Sequence, residues 1–403
     1  SAASDVYKRQ MHIPPINKLD PQQQAFLDKV SAFVDNSSSS FRNQWIQGFA
    51  GSGKSVLLAY AAKTILTKKP SSKIFVVVFT QSLVEMFKAD FKELGLGSKV
   101  TIDTYYGFMK GNFHYDYVLC DEVQDLTPRV IREMNARSSN VIVAGDSNQS
   151  IYESDPRWRE ATVTPSEIGR LINADSYELG IIHRLSRSII DAVQRFLPRM
   201  NIFSSKRDMT KVDTQIRLCE APSEIKEVKY IMEQATKAVN QGYSAAILIP
   251  TAPKIIQFVN QALRDAGKPE WSETTNQWGR MDYGSMNSHL LRNGIKLQYV
   301  GNGYGSFDEN DHRIVIMTFH SAKGLDFDNV FIPYANTSMY ISPNDSLAKT
   351  LFMVAMTRTR ENLYITYNGY PSDYLDAFKS NCSLIDISST AAQTSRTNNT
   401  WGF

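Results

Sequence analysis

The stretch GFAGSGKSVLLAY, residues 48–60, determines the fold prediction. It continues the apolar run WIQGFA, a candidate buried strand, and leads directly into an apolar pattern typical of a helix. Gly48, Gly53, Lys54 and Ser55 satisfy the pattern G-x-x-x-x-G-K-[S/T] between these two elements. The pattern predicts a phosphate-binding loop, because its backbone N–H groups and the start of the helix can both face a phosphate.

The residues of this loop predict a site for ATP and Mg²⁺. Lys54 is expected to reach the β- and γ-phosphates, and the hydroxyl of Ser55 is expected to bind Mg²⁺. The loop residues expected to surround the phosphates are Gly48, Ala50, Gly51, Ser52 and Gly53. The simpler alternative is a glycine-rich turn whose serine only caps the following helix.

Similar apolar runs recur along the chain and alternate with amphipathic patterns, which predicts α/β domains with parallel sheets flanked by helices. The candidate strands are WIQGFA, IFVVVFT, YDYVLCDE and NVIVAGD, followed later by SAAILIP, RIVIMTF, NVFIP and NLYITY. The length of 403 residues also favours more than one domain. We therefore predict two tandem domains, at residues 11–165 and 166–379.

The two ends of the chain are expected to lie outside these domains. Residues 1–10, SAASDVYKRQ, precede Met11 and lack the apolar core of a signal peptide. DVYKRQ can be encoded by a sequence that resembles a sequencing-library adapter, so we interpret residues 1–10 as a non-native leader. Residues 380–403 contain few apolar residues and are predicted to be disordered.

The composition is that of an ordinary globular protein, with 42% hydrophobic and 21% charged residues. Its apolar runs are too short to cross a bilayer, so no membrane partner is expected. Cys120, Cys219 and Cys382 lack the spacing of a metal site and favour a reducing compartment, which predicts a cytoplasmic protein without structural zinc. The net charge of +3 leaves the partner open.

A second chemical signal is the segment YDYVLCDEVQD, which ends in paired acids. Asp121 and Glu122 follow an apolar strand pattern, at the carboxyl end where α/β sheets bind ligands. Asp121 is expected to hold Mg²⁺ and Glu122 to act as the general base for the attacking water. The alternative is that both acids only stabilise the start of a helix.

Five motifs then occur in the order found in superfamily 1 helicases of the UvrD/Rep type. They are GFAGSGKS, DEVQD, GDSNQSIY, TFHSAKGLDF and VAMTRTREN, and the resemblance extends from Leu19 to about Tyr367. It implies two RecA-like P-loop NTPase domains that hydrolyse ATP in the cleft between them. It also implies single-stranded or tailed duplex DNA as the partner, with movement in the 3′ to 5′ direction.

The resemblance also assigns roles to residues beyond the phosphate loop. Gln23, in LDPQQ, is similar to the family's adenine contact, and Gln149 is similar to its γ-phosphate sensor. Arg184 and Arg358 match arginines that stabilise charge on the transferred phosphoryl group. The simpler alternatives are an exposed polar turn for Gln149 and surface positions for the two arginines.

Further assignments concern the second domain and the nucleic acid. Gly324 and Asp326 are expected near the nucleotide, although the family usually has glutamate at position 326 and an aromatic residue where His183 stands. The residues expected to contact nucleic acid are Phe79, Thr80, Thr104, Tyr105, Tyr152, Trp158 and His320. For Phe79 and Tyr105 the alternative is a structural place in the core.

The chain leaves little room for the accessory subdomains that UvrD-like enzymes carry. Residues 108–120 and 268–312 are each shorter than a typical domain. We therefore expect a DNA helicase or single-strand translocase, with an ATP-dependent binding switch that does not unwind as the alternative. A P-loop ATPase unrelated to nucleic acid is a third, more remote interpretation.

Overall fold

The computed structural model describes residues 13–36, 43–146, 150–183, 185–198, 206–207, 213–306 and 312–389. They divide into two compact units. The first contains the described residues of Ser1–Ser186, Arg199–Lys211 and Gly301–Phe307, and the second those of Arg187–Pro198, Val212–Val300 and Asp308–Phe403. Each unit has a parallel sheet and flanking helices, which confirms the predicted fold class.

The first unit is built on a six-stranded parallel sheet. Its strands are β1 (Gln44–Gly48), β2 (Ile74–Val78), β3 (Thr101–Thr104), β4 (Tyr115–Cys120), β5 (Ser138–Gly145) and β6 (Asp175–Leu179). Its helices are α1 (Pro21–Asp35), α2 (Lys54–Lys68), α3 (Gln81–Glu93), α4 (Tyr105–Lys110), α5 (Pro128–Ala136) and α6 (Pro165–Leu171). The strand order is β3-β2-β4-β5-β1-β6, and β7 (Ile181–Ile182) and β8 (Lys206–Arg207) form a separate pair.

The sheet order brings the chemically important loops of the first unit to one edge. Strand β2 reads IFVVV and is buried at all five positions, as expected for a parallel strand covered on both faces. Since all six strands are parallel, the segments that follow β1, β2, β3, β4 and β5 leave from the same carboxyl edge. The phosphate-loop sequence, the aromatic residues after β2 and β3, and the acids after β4 therefore share this edge.

The second unit has a seven-stranded parallel sheet. Its strands are β9 (Gln215–Ala221), β10 (Ala245–Ile249), β11 (Leu297–Tyr299), β12 (Ile314–Thr318), β13 (Phe327–Ile332), β14 (Thr359–Asn368) and β15 (Ser383–Asp386). Its helices are α7 (Arg187–Phe196), α8 (Glu224–Asn240), α9 (Ala252–Asp265), α10 (Tyr283–Arg292), α11 (Phe319–Ala322) and α12 (Asp345–Met356). The strand order is β11-β12-β10-β13-β14-β9-β15.

The predicted domain boundary at residues 165/166 is wrong. Helix α6 packs on α5, and β6 pairs with β1, so both belong to the first unit, which continues to Ser186. Strand β6 reads DSYEL and lies at the sheet edge, where a strand needs no continuous apolar run. The search for apolar runs therefore missed it.

The prediction that residues 380–403 are disordered is wrong for the first part of this segment. Strand β15 pairs with β9 over four residues, and a short 3₁₀ helix follows at Ile387–Ser389. An edge strand is held by its backbone hydrogen bonds and can keep a polar composition, so its sequence resembles a loop. Residues 1–12 and 390–403, which include the predicted leader, lie outside the described residues. Within the described part of the chain, no helix has the length and apolar content to cross a membrane.

Candidate nucleotide and nucleic-acid site

The phosphate-loop sequence forms the turn between β1 and α2. Gly51 and Gly53 have φ values of 78° and 86°, in the left-handed region that favours glycine. A Cβ atom on Gly48 would lie 2.3 Å from Oγ of Ser52, so a larger residue at this position would displace the Ser52 side chain. The glycines thus allow the backbone to fold tightly around the end of α2, as a phosphate cradle requires.

The lysine of the loop is held against the loop itself. Nζ of Lys54 donates to the carbonyl oxygens of Gly48 at 2.6 Å and Phe49 at 2.9 Å, and the residue is 8% exposed. The buried Oγ of Ser52 makes no hydrogen bond within the described residues. The loop therefore combines a cation with a buried hydroxyl, and both can serve an anionic ligand.

The magnesium ligands predicted from two distant motifs are adjacent. Oγ of Ser55 donates to Oδ2 of Asp121 at 2.6 Å. Burial, then the neighbouring Glu122 carboxylate, raises the pKa of Asp121 to about 6, against the opposing effects of Ser55 and Lys54. A bound cation would stabilise the ionised form of Asp121, so this carboxylate is suited to a metal site.

The predicted general base has a partner that sequence reasoning missed. Glu122 adopts a left-handed backbone conformation with φ of 53°, and its Oε2 accepts a hydrogen bond from Nε2 of Gln124 at 2.5 Å. Oε1 of the fully buried Gln124 accepts from the backbone N–H of Asp146 at 3.3 Å. A Cβ on Gly145 would lie 2.0 Å from this oxygen, so Gly145 makes room for the amide. Gln124 thereby connects Glu122 to the end of β5.

The segment after β5 is fixed by further contacts from the same motif. The backbone N–H of Ile151 donates to Oδ1 of Asp125 at 3.1 Å, and Oγ of Ser150 donates to the carbonyl oxygen of Gln124 at 3.4 Å. Gln149, the predicted γ-phosphate sensor, lies outside the described residues. The quoted motif DEVQD contained the signal for these contacts, since two of its polar residues had no assigned role.

Gln23 lies next to the phosphate loop, but its amide is engaged. Its Nε2 donates to the carbonyl oxygen of Ser52 at 3.2 Å, and its Oε1 accepts from the backbone N–H of Asp20 at 3.0 Å. Asp20 caps α1 and also contacts Nε2 of His183 at 2.6 Å. The backbone N–H of His183 donates to the carbonyl oxygen of Gly51 at 2.8 Å. These contacts support the loop, and the adenine role of Gln23 stays a prediction.

Arg358, in the second unit, is buried rather than on the surface. It is 2% exposed, and its guanidinium donates to the carbonyl oxygens of Val354 at 3.1 Å and Leu325 at 3.4 Å. It also donates to Oγ1 of Thr357 at 3.2 Å. A planar fork with several donors suits this set of acceptors, so Arg358 has a structural role in the second unit. Arg184 lies outside the described residues.

The other predicted residues of the second unit follow β12. His320 lies in α11, whose first turn is capped by Thr318, and it is half-buried. Gly324 has φ of 85° and lets the chain turn from α11 towards β13. Asp326, also half-buried, directly precedes β13. These three residues therefore occupy one short connection, while their roles stay predictions.

The four aromatic residues predicted to contact nucleic acid form one aromatic row in the first unit. Phe79 stacks on Tyr152 at a ring-centroid distance of 4.6 Å and on Tyr105 at 5.0 Å. The edge of Tyr105 meets Trp158 at 5.7 Å. Tyr105 is 3% exposed and belongs to the core, as the alternative interpretation of this residue expected. Its burial disfavours stacking on a base. Phe79, Tyr152 and Trp158 remain half-buried.

The two threonines predicted beside these rings act as helix caps. Oγ1 of Thr80 accepts from the backbone N–H of Leu83 at 3.3 Å at the start of α3. Oγ1 of Thr104 accepts from the backbone N–H of Gly107 at 3.2 Å at the start of α4. Both threonines are half-buried, so their local structural role is clear and a nucleic-acid contact stays a prediction.

The donor set fits Mg²⁺ that binds together with a nucleotide. Among the described residues, no group of three or more His, Cys, Asp or Glu side chains could hold a metal ion. Ser55 and Asp121 instead offer one hydroxyl and one carboxylate, and Mg²⁺ commonly combines few protein ligands with phosphate and water. A phosphate-loop sequence and paired acids at one edge of a parallel sheet are the combination typical of P-loop NTPases.

Two family models of helicase domains match parts of the chain. The family described as UvrD-like helicase C-terminal domain matches residues 275–370, and the viral superfamily 1 RNA helicase core domain matches residues 44–218. These matches confirm the predicted resemblance to superfamily 1 helicases. No curated protein sequence matches the chain.

Two solved structures are similar at low identity. One is the arterivirus nonstructural protein 10 helicase in complex with DNA, at 14% identity and a TM-score of 0.42, with 88% of this chain and 65% of that chain covered. The other is the C-terminal domain of a possible DNA helicase from Lactobacillus plantarum, at 14% identity and a TM-score of 0.33, with 50% and 98% covered. The chain thus spans about two thirds of the viral helicase.

Proposed function

We propose that this protein uses ATP and Mg²⁺ to move along single-stranded DNA, and that it separates tailed duplexes. One observation carries the proposal: a single sheet edge bears both the phosphate loop with its acids and the half-buried rings of Phe79, Tyr152 and Trp158 in the aromatic row. Aromatic side chains give a sequence-tolerant contact to a single strand, and the loop supplies the nucleotide site.

In the proposed reaction, residues of the first unit bind and activate the reactants. Lys54 would contact the β- and γ-phosphates, while Ser55 and Asp121 would hold Mg²⁺, which would neutralise phosphate charge. Glu122, oriented by Gln124, accepts a proton from the attacking water. Arg358 is assigned to the developing phosphoryl charge by the family resemblance alone.

The central experiment measures phosphate release with and without single-stranded nucleic acid. We expect oligo-dT to stimulate ATP hydrolysis by the parent protein, and oligo-U to stimulate it less. Lys54→Ala should abolish most of the turnover, because the phosphates lose their cation. The variant should remain folded. Lys69→Ala, which removes an exposed lysine beyond the other end of α2, is the matched control.

A second measurement separates the helicase from the binding switch. Duplexes with a 3′ tail or a 5′ tail are mixed with protein and ATP, and strand separation is followed by loss of energy transfer between two dyes. We expect separation of the 3′-tailed duplex. Stimulated hydrolysis without separation of either duplex would favour the switch, and hydrolysis indifferent to every nucleic acid would contradict both functions.

A further inference from the structure

A group of exposed cations lies over aromatic rings on the first unit. Nζ of Lys110 lies 4.3 Å from the ring centroid of Tyr106, and Cζ of Arg157 lies 3.9 Å from the same centroid. Cζ of Arg129 lies 4.1 Å from the ring centroid of Trp158. The two rings are 5.9 Å apart. We call these five residues the cation–aromatic patch.

Local structure fixes this arrangement. Tyr106 and Lys110 are four residues apart in α4 and therefore lie on the same helix face. Oδ1 of the buried Asp155 accepts the backbone N–H groups of Arg157 at 2.8 Å and Trp158 at 2.6 Å. A bridge between Ser154 and Ala161 closes the same loop. The patch is thus held by a turn that places an arginine and a tryptophan side by side.

The stacked cations are suited to bind phosphate. A guanidinium over a ring keeps N–H donors that can match the oxygens of a phosphate. Lys110 and Arg157 are exposed, and the Arg129 side chain is 47% exposed. Nε of Arg129 contacts Glu160 at 2.9 Å, and the same guanidinium has two terminal nitrogens that can donate to another anion.

The aromatic row extends the patch towards the nucleotide site. Trp158 contacts Tyr105, Tyr105 stacks on Phe79, and Phe79 stacks on Tyr152. This row of contacts reaches the carboxyl edge of the sheet. Cations interleaved with aromatic rings are the combination that binds single-stranded nucleic acid. Since cations cover ring faces in the patch, its contacts should be to phosphates rather than to bases.

We propose that the cation–aromatic patch binds the phosphate backbone of the nucleic-acid strand that also contacts the aromatic row. This inference rests on the proposed function, and it adds Lys110, Arg129 and Arg157 to the nucleic-acid site. Each phosphate contact releases counterions, so a loss of contacts is measured as a smaller salt dependence of binding.

The test uses the full chain and a fluorescein-labelled oligo-dT. Fluorescence anisotropy gives the affinity between about 50 and 200 mM salt for the parent and for a triple variant, Lys110→Gln, Arg129→Gln and Arg157→Gln. The matched control is Lys69→Gln, Lys73→Gln and Lys99→Gln, which removes three exposed charges near the amino edge of the same sheet. Thermal unfolding checks that both variants are folded, and Lys110→Gln alone provides a minimal surface change.

We expect the slope of log affinity against log salt to become shallower by about 2 in the triple variant, and by about 0.7 for Lys110→Gln. The control should keep the slope of the parent. An unchanged slope in the patch variants, or an equal change in the control, overturns the inference while the proposed function stands. A parent that does not bind the oligonucleotide overturns both.

Discussion

Replacement of Gln124 by leucine should slow nucleotide hydrolysis while nucleotide binding is retained. The side chain of Gln124 is fully buried and lies between the Glu122 carboxylate, at 2.5 Å, and the backbone N–H of Asp146, at 3.3 Å. Leucine keeps most of the volume and removes both hydrogen bonds. The carboxylate then loses the amide that orients it, whereas the phosphate loop is unchanged.

The size of the effect follows from the hydrogen bond to a charged group. Such a bond contributes about 1.5–3 kcal/mol. If the bond orients Glu122 for proton transfer, its loss raises the barrier by up to this amount, which corresponds to a decrease in kcat of about 10- to 150-fold. Loss of the hydrogen bond to the backbone N–H of Asp146 should also lower the free energy of unfolding, by about 1 kcal/mol.

The assay is steady-state phosphate release, with nucleotide affinity measured separately by fluorescence of a labelled ATP analogue. Gln44→Leu is the matched control, because Gln44 is also fully buried but lies at the amino end of β1, away from the carboxyl edge. The control should lose stability and keep kcat. The reasoning is refuted if Gln124→Leu keeps the kcat of the parent, or if it loses nucleotide binding in proportion to kcat.

Three other variants test the site. Glu122→Gln should keep Mg²⁺–ATP binding and lower kcat by about 10² or more; a parallel loss of binding would contradict a base role. Folding raises the pKa of Asp121 from 3.8 to about 6, so the metal-free parent should lose up to about 3 kcal/mol of unfolding free energy as pH rises between these values. Urea unfolding in EDTA measures this loss, and Asp121→Asn should reduce it. Arg358→Ala should lower the unfolding free energy by about 1–3 kcal/mol and turnover by about 10³-fold; an unchanged melting temperature would contradict its buried role.

The fold could be predicted where burial shapes the sequence. Central strands such as β2 and β10 are covered on both faces and consist entirely of apolar residues, so their pattern is visible without a structure. The edge strands β6 and β15 have a neighbouring strand on one side only and keep polar residues. Both errors in domain extent arise from these edges, because backbone pairing leaves little trace in side-chain composition.

The same distinction applies to the site. The adjacency of Ser55 and Asp121 could be predicted, because phosphate and magnesium chemistry restricts both residue type and spacing. The role of Gln124 could not be predicted, since its partner at Asp146 is a backbone N–H that any residue provides. Contacts of this kind depend on which strands are neighbours, and β5 lies beside β4 only in the folded sheet. The contact between Gln124 and Asp146 is therefore specified by topology, whereas the residues predicted to meet the ligand are recognised by their chemistry.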